Sequence, residues 1–359
     1  MNNKLKYMPV LRVRQEEIKV LKSFDFGKSI YPCLEIYKEK DQQRSKKSFT
    51  QIHIELINKI KADKVFVDLP VHLKLSRKMK ISVITFLRTV ISNRQERTAH
   101  LIKLAPLSKK IIPVVSSYFL KTGEPSSIKL QENDLRKYFD QIAFRTFPDS
   151  FNNDFLQILS VAHSQDFLIV DLGNVLPDKQ DETFREILAK LNSFDKCKII
   201  ILRSSINKIS NVELDHGKEV STIDNSLVDL YQDYSGSAFG DYGGIKKDDL
   251  TEGGIISPGF LYYDAINNTF FGFKGKVKEL DEFENTIVPS VISSDSTSRM
   301  KDSPVGYLNS DNLGWRLITA INDGLENGRS MAKFKKIALL HYLHCIRKKI
   351  DSGGFNIFN

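Results

Sequence analysis

Asp166-Phe-Leu-Ile-Val-Asp171-Leu-Gly173 is a short apolar run with a carboxylate near its end and a glycine to stop it. A run of this length bounded by a turn residue suits a strand covered on both faces, as in a parallel sheet. The design recurs on either side with a different residue near the end each time. Toward the N-terminus stand Gln141-Ile-Ala-Phe-Arg-Thr-Phe147, Ile111-Ile-Pro-Val-Val-Ser116, Lys64-Val-Phe-Val-Asp-Leu-Pro70, Ile30-Tyr-Pro-Cys-Leu-Glu-Ile36 and Pro9-Val-Leu-Arg-Val-Arg14. Toward the C-terminus stand Cys197-Lys-Ile-Ile-Ile-Leu-Arg203 and Ser237-Ala-Phe-Gly-Asp-Tyr-Gly243. Stretches with helical spacing separate them, among them Ile52, Leu56, Ile57 and Ile60, then 77–91, a shorter one at 98–104, and 181–191. Eight strands alternating with helices predict an α/β protein built as a closed (β/α)8 barrel. A doubly wound open sheet is the competing architecture. The count of eight and the apolar first strand favour the barrel.

After Gly244 the pattern changes. Phe260-Leu-Tyr-Tyr263, Asn267-Asn268 and Phe270-Phe-Gly-Phe273 read as a hairpin, with Gly253-Gly254 and Pro258-Gly259 as turn signals. The stretch 290–310, rich in Ser, Asp and Pro, reads as a long loop. We therefore expect one barrel domain over 1–359, with 245–312 inserted in the eighth βα loop and C-terminal helices over 313–350 closing the wall.

Hydrophobic content of 41% in 359 residues is enough for a full core. Three cysteines (Cys33, Cys197, Cys345) form no metal-type pair and no disulfide framework, which predicts a cytoplasmic, reducing setting. The N-terminal residues carry no apolar signal core, so secretion is not expected. No apolar run approaches the ~20 residues that span a bilayer, so no membrane partner is expected. A net charge of +9 fits either an anionic partner or a Lys-rich solvated surface.

Barrel strands alternate between a face toward the helices and a face toward the interior. On the sixth strand Leu168, Val170 and Leu172 make the helix-facing set, which sends Asp171 inward. The same reasoning sends Asp68, Arg145 and Glu35 inward on the third, fifth and second strands, and Arg12 and Arg14 inward on the first. On the seventh strand it takes Ile200 and Leu202 as outward, with Ile199, Ile201 and Arg203 inward. On the eighth it takes Phe239 and Asp241 as inward. The expected ring sets Glu35, Asp68, Asp171 and Asp241 against Arg12, Arg14, Arg145 and Arg203, at the C-terminal mouth where barrel active sites lie. Two readings stand side by side. The ring is either a salt-bridge network that satisfies itself and plugs the barrel, or a pocket whose arginines bind an anion and whose acids move protons. The acids Glu35, Asp68 and Asp171 also admit a Mg²⁺ ion, and the cofactor is otherwise left open.

Other residues invite paired readings too. Gly243 and Gly244 offer backbone N–H groups to phosphate, or only a tight turn. Tyr242 and Tyr263 line the mouth or pack in the core. His72, just past the third strand, is placed as a proton shuttle or as a plain loop residue. His341 and His344 share a basic helix with Lys335, Lys336, Arg347 and Lys348, which reads as a metal or nucleic-acid face or as a solvated one. No Walker, zinc-protease, serine-hydrolase or dinucleotide motif is present.

Pro9-Val-Leu-Arg-Val-Arg14 with Glu17 and Leu21, followed by Pro32-Cys-Leu-Glu-Ile36, resembles the opening of the phage and bacterial beta protein family. That family typically begins P-x-L-K-x-K…E…A-L and continues P-L-I-E-I. Asp68, Arg145, Asp171, Phe239-Gly-Asp-Tyr242 and Leu261-Tyr-Tyr263…Lys274-Gly275 fit its pattern as well. Where the family usually has Trp-Arg and later His-His, this sequence is read as having Gly328-Arg329 and Lys335-Lys336. The resemblance implies a phage-related or antiviral-defence setting and supplies no reaction. The leading expectation is a barrel that binds a phosphorylated or nucleotide-like anion, and if it is an enzyme, one of hydrolase or phosphodiesterase type. The alternative is a non-catalytic protein that grips nucleic acid or a partner protein through the basic C-terminal helix and the insertion.

Overall fold

Each predicted strand pairs in parallel with the next, and the last returns to the first. A computed structural model describes residues 5–354 except 40–45, 176, 207–208, 247–249 and 251–255. The barrel strands are β1 (Tyr7–Arg12), β2 (Cys33–Glu35), β3 (Val65–Asp68), β4 (Ile111–Ser116), β5 (Ala143–Thr146), β6 (Phe167–Asp171), β7 (Lys198–Leu202) and β8 (Ala238–Asp241). They form one closed barrel in chain order. Closure is made by Met8 opposite Gly240 on one side of β1 and Leu11 opposite Leu34 on the other, so the open-sheet alternative is excluded.

Around the barrel lie α1 (Gln15–Ser23), α2 (Phe49–Lys59), α3 (Ile81–Ser92), α4 (Arg94–Ile102), α5 (Ser127–Leu135), α6 (Phe151–Val161) and α7 (Glu182–Asn192). Their starts are written in local chemistry. Ser48 and Gln51 form a reciprocal capping box on α2, Asn93 accepts from Glu96 N–H at α4, and Asp181 accepts from Phe184 N–H at α7. The Asn93 cap starts α4 four residues before the expected 98, which brings Arg97 into the helix.

The two faces of the strands sort into two apolar clusters, one against the helices and one inside the barrel. For β1 to β6 the inward sets are those expected from alternation, except Arg14, which falls past the end of β1 and opens α1 instead. For β7 and β8 the phase is the opposite one: Ile200, Leu202 and Ala238 lie inside, while Ile199, Ile201 and Phe239 face the helices. Ile199 to Leu202 is apolar on both faces, so alternation carries no phase there, and Arg203 was given the wrong side. On β8 the narrow interior takes the small Ala238 and Gly240, and Phe239 stacks outside on Tyr7 with ring centroids 4.7 Å apart.

The hairpin is present as β9 (Gly259–Asp264) and β10 (Thr269–Lys274), with Tyr262 opposite Phe271 and Lys218–Glu219 added as a third strand. The Gly253-Gly254 turn lies outside the described residues. The expected loop at 290–310 instead carries a short turn of helix at Val288–Ile292 and then α8 (Asp295–Asp302). Ser294 caps α8 by accepting from Thr297 N–H, so the serines and aspartates read as loop are partly cap. Helices α9 (Leu313–Asn322) and α10 (Met331–Asp351) follow, and α10 lies against α1, α9 and β9. Among the described residues no helix is long and apolar enough to cross a membrane.

Candidate functional site

Arg12, Glu35 and Asp68 end three neighbouring strands, and the register sets Arg12 beside Glu35 and Glu35 beside Asp68. Arg145, near the end of β5, reaches across the mouth and joins them. Its Nη1 donates to Glu35 Oε1 at 2.9 Å and Asp68 Oδ2 at 2.7 Å. Its Nε and Nη2 both donate to Asp171 Oδ2, at 3.0 and 2.6 Å. Arg12 Nε donates to Glu35 Oε2 at 3.0 Å. Asp171 Oδ1 accepts from Gly173 N–H at 2.9 Å, so the glycine that ends the strand also holds the carboxylate. Glu35, Asp68 and Asp171 are fully buried, Arg145 nearly so, and Arg12 is 4% exposed.

Three residues complete the cluster, and the first of them was not among the expected site residues. Arg97 of α4 is fully buried and donates from Nη2 to Asp68 Oδ1 and Val114 O, both at 2.8 Å. Its Nε and Nη1 donate to Leu69 O and Gln131 Oε1. A legible signal existed: Arg97 shares the buried face of α4 with Leu101, at a spacing of one turn, where an apolar residue is usual. Tyr242, just past β8, accepts from Arg145 Nη2 at 3.1 Å and donates to Glu35 Oε1 at 3.4 Å. His72 comes in from the loop after β3, with Nε2 3.5 Å from Glu35 Oε1 and its ring 5.3 Å from that of Phe147.

The charges balance: guanidiniums Arg12, Arg97 and Arg145 meet carboxylates Glu35, Asp68 and Asp171. Burial opposes the charge on Arg145, but Asp171, Tyr242, Glu35 and Asp68 more than offset it and hold its pKa above the ordinary value. Burial, then Glu35, pushes the Tyr242 phenol up, so it stays a hydrogen-bond donor. Cys33, one layer deeper on β2, has its thiol pushed up by burial and then by Asp68, and is an inert packing residue.

The other expected ring members lie elsewhere. Arg203 turns to the helix side, where Nη1 donates to Asp224 O at 3.2 Å. Asp241 also faces outward, accepting from Tyr7 OH and Tyr342 OH, each at 2.5 Å, and from Gly243 N–H at 2.7 Å. Burial raises the Asp241 pKa, and the two tyrosines and Gly243 N–H oppose that rise. Arg14 caps α1 in extended conformation and is half-buried outside the cluster. Tyr263 packs in the core, edge-on to Tyr342, and donates to Asn268 Oδ1 at 2.8 Å. Gly243 and Gly244 have φ of +69° and +67° and lie directly under Leu339 and Tyr342 of α10. Their backbone is covered, so the tight turn serves helix packing.

The basic-helix reading changes as well. His341 and His344 are buried, and burial lowers both pKa values to about 4. Asn312 Nδ2 faces His341 Nδ1 at 3.0 Å, and His341 Nε2 sits 2.8 Å from Tyr263 O. An amide donor on Nδ1 and a carbonyl on Nε2 define a neutral ring with its proton on Nε2. This is a core histidine, neither a metal face nor a solvated one.

A cleft of about 540 Å³ opens at the same end of the barrel, between the first turns of α1 and α10, the start of β9 and the loop after β8. Arg14, Lys246 and Lys335 line it together with Glu16 and Glu17, Lys335 pairing with Glu17 at 2.6 Å, and Phe260, Met331 and Phe334 form its apolar wall. A small gap that shares Glu17, Ile245, Lys246 and Lys335 with the cleft reaches Arg12 and Tyr242. That gap holds about 10 Å³, room for a single water, so the cleft and the cluster share a wall at Glu17, Ile245, Lys246 and Lys335.

The family model described as Beta protein matches residues 7–347, which includes every residue of the cluster and of the cleft. No curated protein and no solved structure matches the chain.

Proposed function

The chain belongs to the Beta protein family, and we propose that it binds a phosphorylated or nucleotide-like anion at the C-terminal mouth of its barrel, with hydrolysis of that anion as the chemistry its acids would perform. One observation carries this reading: a cleft of ligand size, with cations and an apolar wall, shares Glu17, Ile245, Lys246 and Lys335 with a small gap beside Arg12 and Tyr242 of a buried acid–arginine cluster. A cluster built only to plug the barrel has no need of such a neighbour. The anion would sit at Arg12, Lys246 and Lys335, and its apolar part against Phe260 and Met331. Asp171, Glu35 and Asp68 lie behind Arg12 as the candidate proton-transfer groups.

The alternative, nucleic acid or a partner protein held by the C-terminal helix, finds less support. From Phe334 to Ile346, α10 is largely buried. Lys335 pairs with Glu17 at 2.6 Å and Arg347 with Asp351 at 3.6 Å, so two of the four cations named for that face are engaged within the protein. The phage-related or defence setting rests on family membership, and the cytoplasmic one on three free cysteines.

Calorimetric titration with inorganic phosphate, pyrophosphate and nucleoside di- and triphosphates tests the reading. At least one should bind in the millimolar range or tighter, and Arg12→Gln should weaken it about tenfold through loss of a charge-assisted bond. Silence across the panel, or an unchanged Kd in Arg12→Gln, would sink it.

A further inference from the structure

We propose that the loop after β3 and the start of α3 form a docking surface for an anionic membrane, with the barrel mouth turned toward the lipid headgroups. The proposal goes beyond the anion reading above and does not rest on it. From Leu69 to Gln95 the chain carries Lys74, Arg77, Lys78, Lys80, Arg88 and Arg94 and no aspartate or glutamate. Two-thirds of the net charge of +9 therefore lies in this one stretch. Arg94 is engaged by Glu124 and Asp134. Lys74, Arg77, Lys78 and Arg88 are exposed, and among the described residues none of the four forms an ion pair.

The loop is held in a defined shape. Val71 and Met79 are buried toward its two ends. Met79 N–H donates to Ser76 O at 3.1 Å and Lys78 N–H to Ser76 Oγ at 3.2 Å, a turn that sets Arg77 and Lys78 at its corner. Helix α3 begins directly after Lys80, with no side-chain cap and no acid in its first turn. A helix N-terminus is the positive end of the dipole, where acids are usual and cations work against the helix. Helix stability therefore gives no reason to gather Lys74, Arg77, Lys78 and Lys80 at this end. A surface dense in phosphate does, since it meets the cations and the helix end with the same sign of charge. His72, at the start of the loop, lies 3.5 Å from Glu35 of the charge cluster, so the loop belongs to the mouth.

Apolar side chains decide which phosphate surface fits. A run of cations alone would be a solvated face. Here Leu75 and Ile81 alternate with the cations and are 40% and 72% exposed. A single helical turn at Phe119–Thr122 packs on α3 and adds Phe119 and Leu120, also exposed, with exposed Lys121 beside them. Nucleic acid offers phosphates to the cations, but its bases stack on aromatic rings and give aliphatic chains little to bind. An anionic bilayer takes both kinds at once, cations at the headgroups and apolar chains at the acyl boundary. A peripheral contact of this kind needs no spanning helix.

The test is co-sedimentation of the full chain with vesicles of phosphatidylcholine alone and of phosphatidylcholine mixed with phosphatidylglycerol. The protein should bind the mixed vesicles, leave the neutral ones, and come off the mixed ones as salt rises from about 0.1 to about 0.5 M. Each cation near such a surface is worth about fivefold, so the triple variant Lys74→Gln, Arg77→Gln, Lys78→Gln should weaken binding well over tenfold. The double variant Leu75→Ser, Ile81→Ser should weaken it about tenfold through lost apolar contact. All five side chains are exposed, so both variants should melt within about 2 °C of wild type, which separates loss of contact from loss of fold. Single-stranded and duplex DNA are titrated beside the vesicles. No binding to mixed vesicles, or binding that either variant keeps at full strength, overturns the proposal. DNA binding that the triple variant loses, without vesicle binding, overturns it in favour of a nucleic-acid surface.

Discussion

Asp171 and Asp241 end β6 and β8, two strands apart on the same barrel, and are buried in opposite ways. Asp171 faces the interior and is met by a guanidinium, with two Arg145 nitrogens on one oxygen. Asp241 faces the helices and is met by neutral donors, two phenols and a backbone N–H. The first arrangement pairs the carboxylate with a cation inside the barrel. The second raises the carboxyl pKa and ties β1, β8 and α10 together. A one-residue difference in strand phase separates a candidate functional acid from a structural one.

The largest test of that contrast is Arg145→Met. It leaves three buried carboxylates short of a partner and should cost roughly 3–5 kcal/mol in denaturant unfolding. A loss below about 1 kcal/mol would mean that the cluster is far more solvated than its burial indicates. On the Asp241 side, Gly244→Ala should cost about 2–3 kcal/mol, because a Cβ at φ +67° would overlap the Tyr342 ring. Tolerance of alanine would mean that α10 can move off the turn.

Smaller effects divide the two sites by pH. Tyr342→Phe removes one donor from Asp241 and should cost about 1–2 kcal/mol at pH 7, and less near pH 4. The sign for Asp241 itself follows from its raised folded pKa against an ordinary value of 3.8. The folded state holds that proton more tightly, so its contribution is full at low pH and is lost as pH rises through the folded value. Wild type minus Asp241→Asn stability should therefore decline as pH rises above 4. A flat or rising difference over that range contradicts the assignment. The smallest effect belongs to Arg203→Gln: with Arg203 on the helix side, phosphate affinity should change less than about twofold where Arg12→Gln changes it tenfold.

Much of this was legible from local pattern. Helix-facing apolar residues on β1 to β6 dictate the direction of Arg12, Glu35, Asp68, Arg145 and Asp171, and the structure brings those five together. Arg203 and Asp241 face the helices, against expectation, because β7 is apolar on both faces and carries no phase, and β8 puts the small Ala238 and Gly240 inside. Arg97 was missed because its helix was started one turn late, past the Asn93 cap. His341 and His344 read as basic and exposed beside lysines; the packing of His341 against Tyr262, Tyr263 and Asn312, and the burial of His344, show otherwise.

The amino-acid sequence by itself determined the eight alternating strands and helices, because their periodicities are local; closure into a barrel was decided by β1 pairing with both β8 and β2. It also determined the inward acids and arginines wherever one face of a strand is apolar and the other is not. Tertiary structure alone decided who partners whom. Arg145 reaches Glu35, 110 residues away in sequence, and Tyr342 reaches Asp241 across 101 residues. Contacts of that range depend on ring closure and helix docking, which no local spacing encodes. Asp171 thus became part of a charge cluster inside the barrel, while Asp241, with the same appearance in sequence, became a pin under the last helix.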